Sequence, residues 1–181
     1  MEHGYAGTTT TAVATRAGVS HGALFKHFAT KADLLAATAQ HLYVVLMGRY
    51  VDRFHRIERE VDADERLDRA IRLLWQMFAS AEFAAALELT NASRTDPALN
   101  DGLRDVVAAH ATRIRAQAAA LFPEQIEHPE FAITLDLVLE TMVGMAVSRI
   151  ADGDPAHYRQ LLDHLTELAH RRLSDTRRGT R

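Results

Sequence analysis

Thr8–Lys31, TTTTAVATRAGVSHGALFKHFATK, reads as two short helices joined by a tight turn, with a third helix opening directly after them. Thr8 and Thr9 suit the start of the first helix, because a hydroxyl accepts from amides that have no partner in the first turn. Val13, Ala14 and Ala17 fall on one face at helical spacing. Gly18 can take the left-handed conformation that ends a helix, Val19 can plug the angle, and Ser20 can cap the next helix. Leu24 and Phe28 then turn inward, which leaves His21, Gly22, Ala23, Lys26 and His27 outward. Two helices held at a steep angle by a glycine-containing turn form a helix-turn-helix, a motif that lays its second helix in the DNA major groove.

The bulk composition narrows the alternatives. At 181 residues the chain can bury a substantial core in one or two domains. It has no cysteine, which excludes disulfide frameworks, thiolate zinc sites and iron–sulfur clusters. The first residues lack the basic start and apolar run of a secretory signal. No stretch reads as long and apolar enough to cross a bilayer, so a cytoplasmic protein without a membrane partner is expected. The net charge of −3 does not exclude a nucleic-acid binder, because only the field at the contact face matters. The chain's two lysines, Lys26 and Lys31, both lie in the quoted stretch, with Arg16 beside them.

Beyond the motif nearly every segment carries helical periodicity, and none alternates as a strand would. Thr30 and Asp33 have capping-box spacing and open a long helix striped by Leu35, Leu42, Leu46, Tyr50, Phe54 and Ile57. The charged run from Glu58 to Arg66 holds a turn. Further helices are expected with Leu67, Ile71, Leu74, Trp75 and Phe78 on one face, then over Glu82–Ser93 and Ala98–Leu121. The segment Phe131–Ile150 is apolar almost all round, and Tyr158, Leu161, Leu162, Leu165 and Leu168 stripe the last helix. A helix without a polar face must be covered on every side. Self-association through helices near residues 131–150 and 155–172 is the economical explanation, with an ordinary core helix as the alternative. Gly144 and Ala146 would permit close approach there. The tail from Arg171-Arg172 to Arg181 is expected to fray.

The order and spacing of Gly4-Tyr5, Thr8-Thr9, Val13-Ala14, Ala17-Gly18-Val19-Ser20, Phe28, Lys31 and Leu34-Leu35 resemble the amino-terminal signature of TetR-family transcriptional regulators. The resemblance implies an all-α fold: a helix-turn-helix DNA-binding domain over residues 1–45, then a larger helical ligand-binding and dimerisation domain over 46–181. It also implies a homodimer whose last two helices form an intersubunit four-helix bundle. Two departures stand out. Phe25 occupies the place where the family usually has tyrosine, so a phenol that could bond a phosphate is lost. The family also places a whole helix before Gly4-Tyr5, where only Met1-Glu2-His3 stand. Met1 is therefore expected to be an internal methionine of a longer natural chain, with the inner faces of Val13, Leu24 and Phe28 under-covered.

These readings divide the candidate DNA contacts by role. His21, Ala23 and Lys26 could meet base edges; alanine suits a thymine methyl, and lysine a guanine edge or a phosphate. Thr8, Thr9, His27 and Lys31 sit at or beside helix ends, where hydroxyls and cations suit phosphates, and Ser20 and Phe25 complete the set. Taken singly, each could be a solvated surface residue. For a small, mostly apolar effector, Trp75, Phe78, Phe83, Met142 and Met145 are the candidate lining, with Glu88 and His110 as polar handles; ordinary core packing is the alternative for each. Glu140 is a further polar residue on an apolar stripe. Glu167 and His170 have Glu-x-x-His spacing, but a di-iron bundle needs that motif twice, so no metal and no cofactor are expected. No nucleophile arrangement or phosphate loop is present, and an enzyme is not expected. The expected function is a ligand-responsive transcriptional regulator of double-stranded, pseudo-palindromic DNA, a repressor released by its effector. The rival is a helical ligand-binding or dimerisation protein unable to bind DNA for want of its first helix.

Overall fold

The computed structural model describes residues 4–149 and 153–174. Met1-Glu2-His3, Ile150 and the tail beyond Ser174 lie outside the described residues, and with them the expectations that fall there. Nine helices and no strand occur among the described residues: α1 (Gly4–Gly7), α2 (Thr10–Ala17), α3 (His21–His27), α4 (Lys31–Ile57), α5 (Ala63–Phe78), α6 (Ala81–Ala92), α7 (Pro97–Leu121), α8 (Phe131–Ser148) and α9 (Pro155–Ser174). Packing divides the chain into two compact units, Met1–Leu46 with Ala81–Thr112 and Met47–Ser80 with Arg113–Arg181. The helices α4 and α7 each contribute residues to both units.

Local chemistry sets the helix ends in the first unit. Thr9 caps α2, its hydroxyl accepting from the Ala12 amide at 3.1 Å, and Ser20 caps α3 by accepting from Ala23 at 3.1 Å. Between them Gly18 takes φ +68°, donating to Thr15 while Val19 donates to Ala14. This is the paired closure of a Schellman end, and it needs a residue that tolerates positive φ. Thr30 and Asp33 form the reciprocal capping box that opens α4, with bonds of 2.9 and 3.0 Å. Pro97 stands first in α7, where its missing amide costs nothing. One local expectation fails: Val19 is 43 % exposed and does not plug the angle. The Schellman bonds already fix the turn without its side chain.

Ala14, Leu24 and Leu34 make the small core of the helix-turn-helix, flanked by half-buried Val13 and Phe28, while Ala17 is exposed. The remainder of this unit packs around Leu35, Ala39, Tyr43, Ala86, Leu89, Leu99 and Leu103. In the second unit Phe54, Ala70, Leu73 and Leu121 form one cluster. The helices α8 and α9 pack on each other and on α5, and Arg72 ties α5 to α9 by bonding Asp68 and Asp163. Contrary to the sequence reading, one helix among the described residues, α8, does reach the length and composition of a bilayer span, at 18 residues. That is the lower edge of the workable range. Its buried side, carrying Thr134, Val138, Met142 and Met145, is already covered by protein, and Asp136 pairs with Arg115 of α7.

Candidate nucleic-acid interface and ligand cavity

Helix α3 buries only Leu24; His21, Gly22, Ala23, Phe25, Lys26 and His27 are exposed. One short helix therefore presents two imidazoles, an ammonium, a methyl and an aromatic ring to solvent. His21 packs its ring against Phe25, centroids 4.4 Å apart, and lies 3.4 Å from the Thr10 hydroxyl, which positions it over the turn. The surviving ring of Phe25 thus orients a neighbour even without a phenolic oxygen. Thr9 and Ser20 spend a hydroxyl lone pair on their caps and remain exposed. Thr8, half-buried, donates to the Gly4 carbonyl at 2.6 Å.

Lys31 is placed differently from Lys26. It is half-buried, donates to the Tyr5 carbonyl at 3.2 Å and lies 4.5 Å from the centroid of the Tyr5 ring. The Tyr5 hydroxyl donates to Asp96 at the start of α7, and the Tyr5 amide donates to Glu88 of α6. Gly4 makes this closeness possible: its φ is +58°, and a Cβ there would sit 2.9 Å from the Glu88 carboxylate. Tyr5 therefore fastens α1, α4, α6 and α7 of the first unit together, with Lys31 as its cation. Sequence reasoning quoted Gly4-Tyr5 only as part of a signature; its partners lie far along the chain.

The bond from Tyr5 holds the Asp96 carboxyl below its ordinary value, helped by the Leu99 amide, while the same bond pushes the Tyr5 phenol upward. A depressed carboxylate contributes stability above its unfolded value, about 3.9, and loses it as the pH falls through the lower folded value. A raised phenol contributes below about pH 10 and loses its contribution as the pH rises through its folded value. Wild type and Tyr5→Phe are thus expected to differ most in urea midpoint near neutral pH and to converge at both extremes. A gap that stayed constant from acid to alkali would show that the bond contributes nothing.

Two mainly apolar concavities, each inside a single unit, could take a ligand. In the first unit an open groove of about 700 Å³ is lined by Val13, Leu34, Leu35, Leu42 and Leu89, with Glu88 at its edge. Val13 lines this groove and is half-buried, Phe28 is half-buried against the motif core, and Leu24 is buried. In the second unit a narrower cavity of about 80 Å³ is walled by α4 (Met47, Tyr50), α5 (Leu67, Ile71, Leu74, Met77), α7 (Ile114, Gln117, Ala118) and α8 (Phe131, Thr134, Leu135, Val138), with Ala169 and Leu173 of α9. The proposed effector residues lie elsewhere. Trp75, Phe78, Met142 and Met145 belong to the second unit, and Phe83, Glu88 and His110 to the first; none lines this cavity. Their rings and thioethers are taken up by packing: Trp75 stacks on Tyr158 at 5.4 Å, His110 on Tyr43 at 4.0 Å, and Met142 is wholly buried. Glu167 lies 4.0 Å from Arg171 rather than in a carboxylate cluster, and Glu140 is exposed on α8.

Comparison with known proteins agrees with this geometry. Residues 1–38 match the family model described as bacterial regulatory proteins, tetR family. The chain is 34 % identical over 174 residues to an HTH-type transcriptional regulator of Mycobacterium tuberculosis (strain ATCC 25618 / H37Rv), covering 93 % of this chain and 85 % of that one. The same values hold for an HTH-type transcriptional regulator of Mycobacterium bovis. It is 28 % identical to the HTH-type transcriptional regulator CymR of Pseudomonas putida, over 98 % of this chain and 86 % of the relative. No solved structure matches.

Proposed function

This chain belongs to the TetR family of bacterial transcriptional regulators, and from that premise we propose that it is a cytoplasmic, homodimeric repressor that leaves its operator when a small apolar molecule enters the second unit. The observation that carries the DNA side is the outer face of α3, where Ala23, Lys26 and His27 stand free around a single buried leucine. Two copies would enter successive major grooves of a pseudo-palindrome, centres about 34–36 Å apart. His21, Ala23 and Lys26 would meet bases or phosphates, while Thr8, Thr9, Ser20, Phe25 and His27 hold the helix ends against the backbone. Lys31 would act through Tyr5, as an anchor of the motif rather than as a free cation.

The cavity supports the effector side. Its roughly 80 Å³ exceeds the space that one water needs, about 10–15 Å³, and falls short of the roughly 150 Å³ of an apolar cavity that takes benzene. A ligand of ring size would therefore have to widen it. Met47 and Met77 can repack as it does. Such a ligand binds the wider state better than the narrow one, and only that difference can shift an equilibrium. One wall is α4, which begins at Lys31 directly after the motif and is unbroken to Ile57. Widening would then be felt along α4, and the spacing of the two recognition helices would change.

Fluorescence anisotropy on duplex DNA from immediately upstream of its own gene, titrated with salt, tests the reading. Binding that competitor DNA fails to displace, and that weakens steeply as salt rises, is the expected result. Lys26→Ala should weaken it about tenfold or more and reduce the salt slope by about one per subunit if the ammonium meets a phosphate. Binding indifferent to salt and to Lys26 would remove α3 as the contact helix.

A further inference from the structure

Among the described residues no charged side chain and no histidine lines the cavity. Its polar groups are three, the Tyr50 hydroxyl, the Gln117 amide and the Thr134 hydroxyl, carried by α4, α7 and α8. None of the three side chains makes a hydrogen bond to protein among the described residues. Tyr50 and Gln117 are half-buried and Thr134 is buried, so each can offer a hydrogen bond to a molecule that enters an otherwise apolar wall. A charged guest would gain no counter-charge there, and burying an unpaired ion costs far more than the apolar contacts return. Burial also pushes the Tyr50 phenol well above its ordinary range, so it stays a neutral donor and acceptor at any cellular pH.

We infer that the ligand of this cavity is an uncharged molecule of about one ring bearing a single neutral hydrogen-bonding group, read chiefly by Tyr50. The inference rests on the cavity being the effector site, and it makes Tyr50 the residue that separates a hydroxylated guest from a bare hydrocarbon. The adjoining Leu, Ile and Met side chains supply apolar contact without distinguishing between the two. Removing one neutral hydrogen bond changes affinity about five- to tenfold, whereas a charge excluded from an apolar site changes it at least about 100-fold.

Isothermal titration calorimetry of the full chain with p-cresol, toluene and 4-methylbenzoate at pH 7.5 tests this. The expected order is p-cresol tightest, toluene about five- to tenfold weaker, and 4-methylbenzoate at least about 100-fold weaker than p-cresol. Tyr50→Phe should bring p-cresol down to toluene and leave toluene unchanged; Thr134→Val carries the same comparison if the first variant fails to fold. Ala118→Leu, which fills the wall, should abolish binding of both. Equal binding of p-cresol and 4-methylbenzoate, no preference for p-cresol over toluene, or no binding of any probe at millimolar concentration would each overturn the inference. The DNA measurement is read separately. Binding of p-cresol without loss of operator affinity would defeat the effector reading and leave the ligand chemistry intact.

Discussion

Phe54→Ala is expected to lower the unfolding free energy by about 3–5 kcal/mol. Phe54 is 0 % exposed and meets Phe122 edge-on at 5.3 Å and Tyr50 at 6.3 Å, within a cluster closed by Ala70, Leu73 and Leu121. Truncation removes a full aromatic ring from a site framed by helices that cannot simply collapse into the gap, so the cavity cost adds to the lost transfer energy. Against a total stability of about 5–15 kcal/mol that is a large fraction. The void would also open beside Tyr50, Leu121 and Phe122, which wall the cavity of the second unit. Urea unfolding followed by the fluorescence of Trp75, the chain's single tryptophan and a residue of the same unit, measures the loss. A change below about 1 kcal/mol would mean that α4, α5 and α7 close over the missing ring, contrary to the close packing found here.

What could be read from the sequence follows the range of the forces involved. The motif was legible because its determinants are local. A hydroxyl three residues before the amide it serves, a glycine at the one position that requires positive φ, and a threonine–aspartate pair at capping-box spacing are short-range rules. The apolar stripe of α4 was legible for the same reason, and Tyr50 was read as part of it. Its separate status as a polar group on the cavity wall depends on Gln117 and Thr134, which reach it only through the packing of three helices. Phe78 and Met142 are buried core side chains and half-buried Trp75 stacks on Tyr158, contacts between distant helices that helical periodicity alone does not reveal. Lys26 and Lys31 both read as cations available to DNA, Lys26 to a base edge or a phosphate and Lys31 to a phosphate. The difference between them is Tyr5, fixed in place by Asp96 and Glu88 from distant helices.

In the proposed homodimer, Leu137→Glu is expected to turn the dimer into a monomer and to cost about 100-fold or more in operator affinity, while leaving the fold of the single chain intact. Along α8, Ile133 is 61 % exposed, Leu137 45 % and Val147 46 %, with Gly144 between them and open space where its Cβ would be. Large aliphatic side chains in one line at helical spacing are costly to leave in water, and the glycine allows a second helix to come close. In a two-fold contact each copy offers the same patch, so one substitution places two carboxylates at the seam. Exposed Glu140 lies on the same line and adds to that repulsion. Because Leu137 is exposed within one chain, the exchange should leave thermal unfolding of the monomer nearly unchanged. Its effect on DNA comes from losing the link between two recognition helices: each half-site must then be bound separately, without the effective concentration supplied by the partner. Sedimentation velocity and operator anisotropy on the same preparation decide the matter. A variant that stays dimeric and binds DNA as wild type does would exclude this face of α8 from the interface and make its exposed leucine and isoleucine a surface with another purpose.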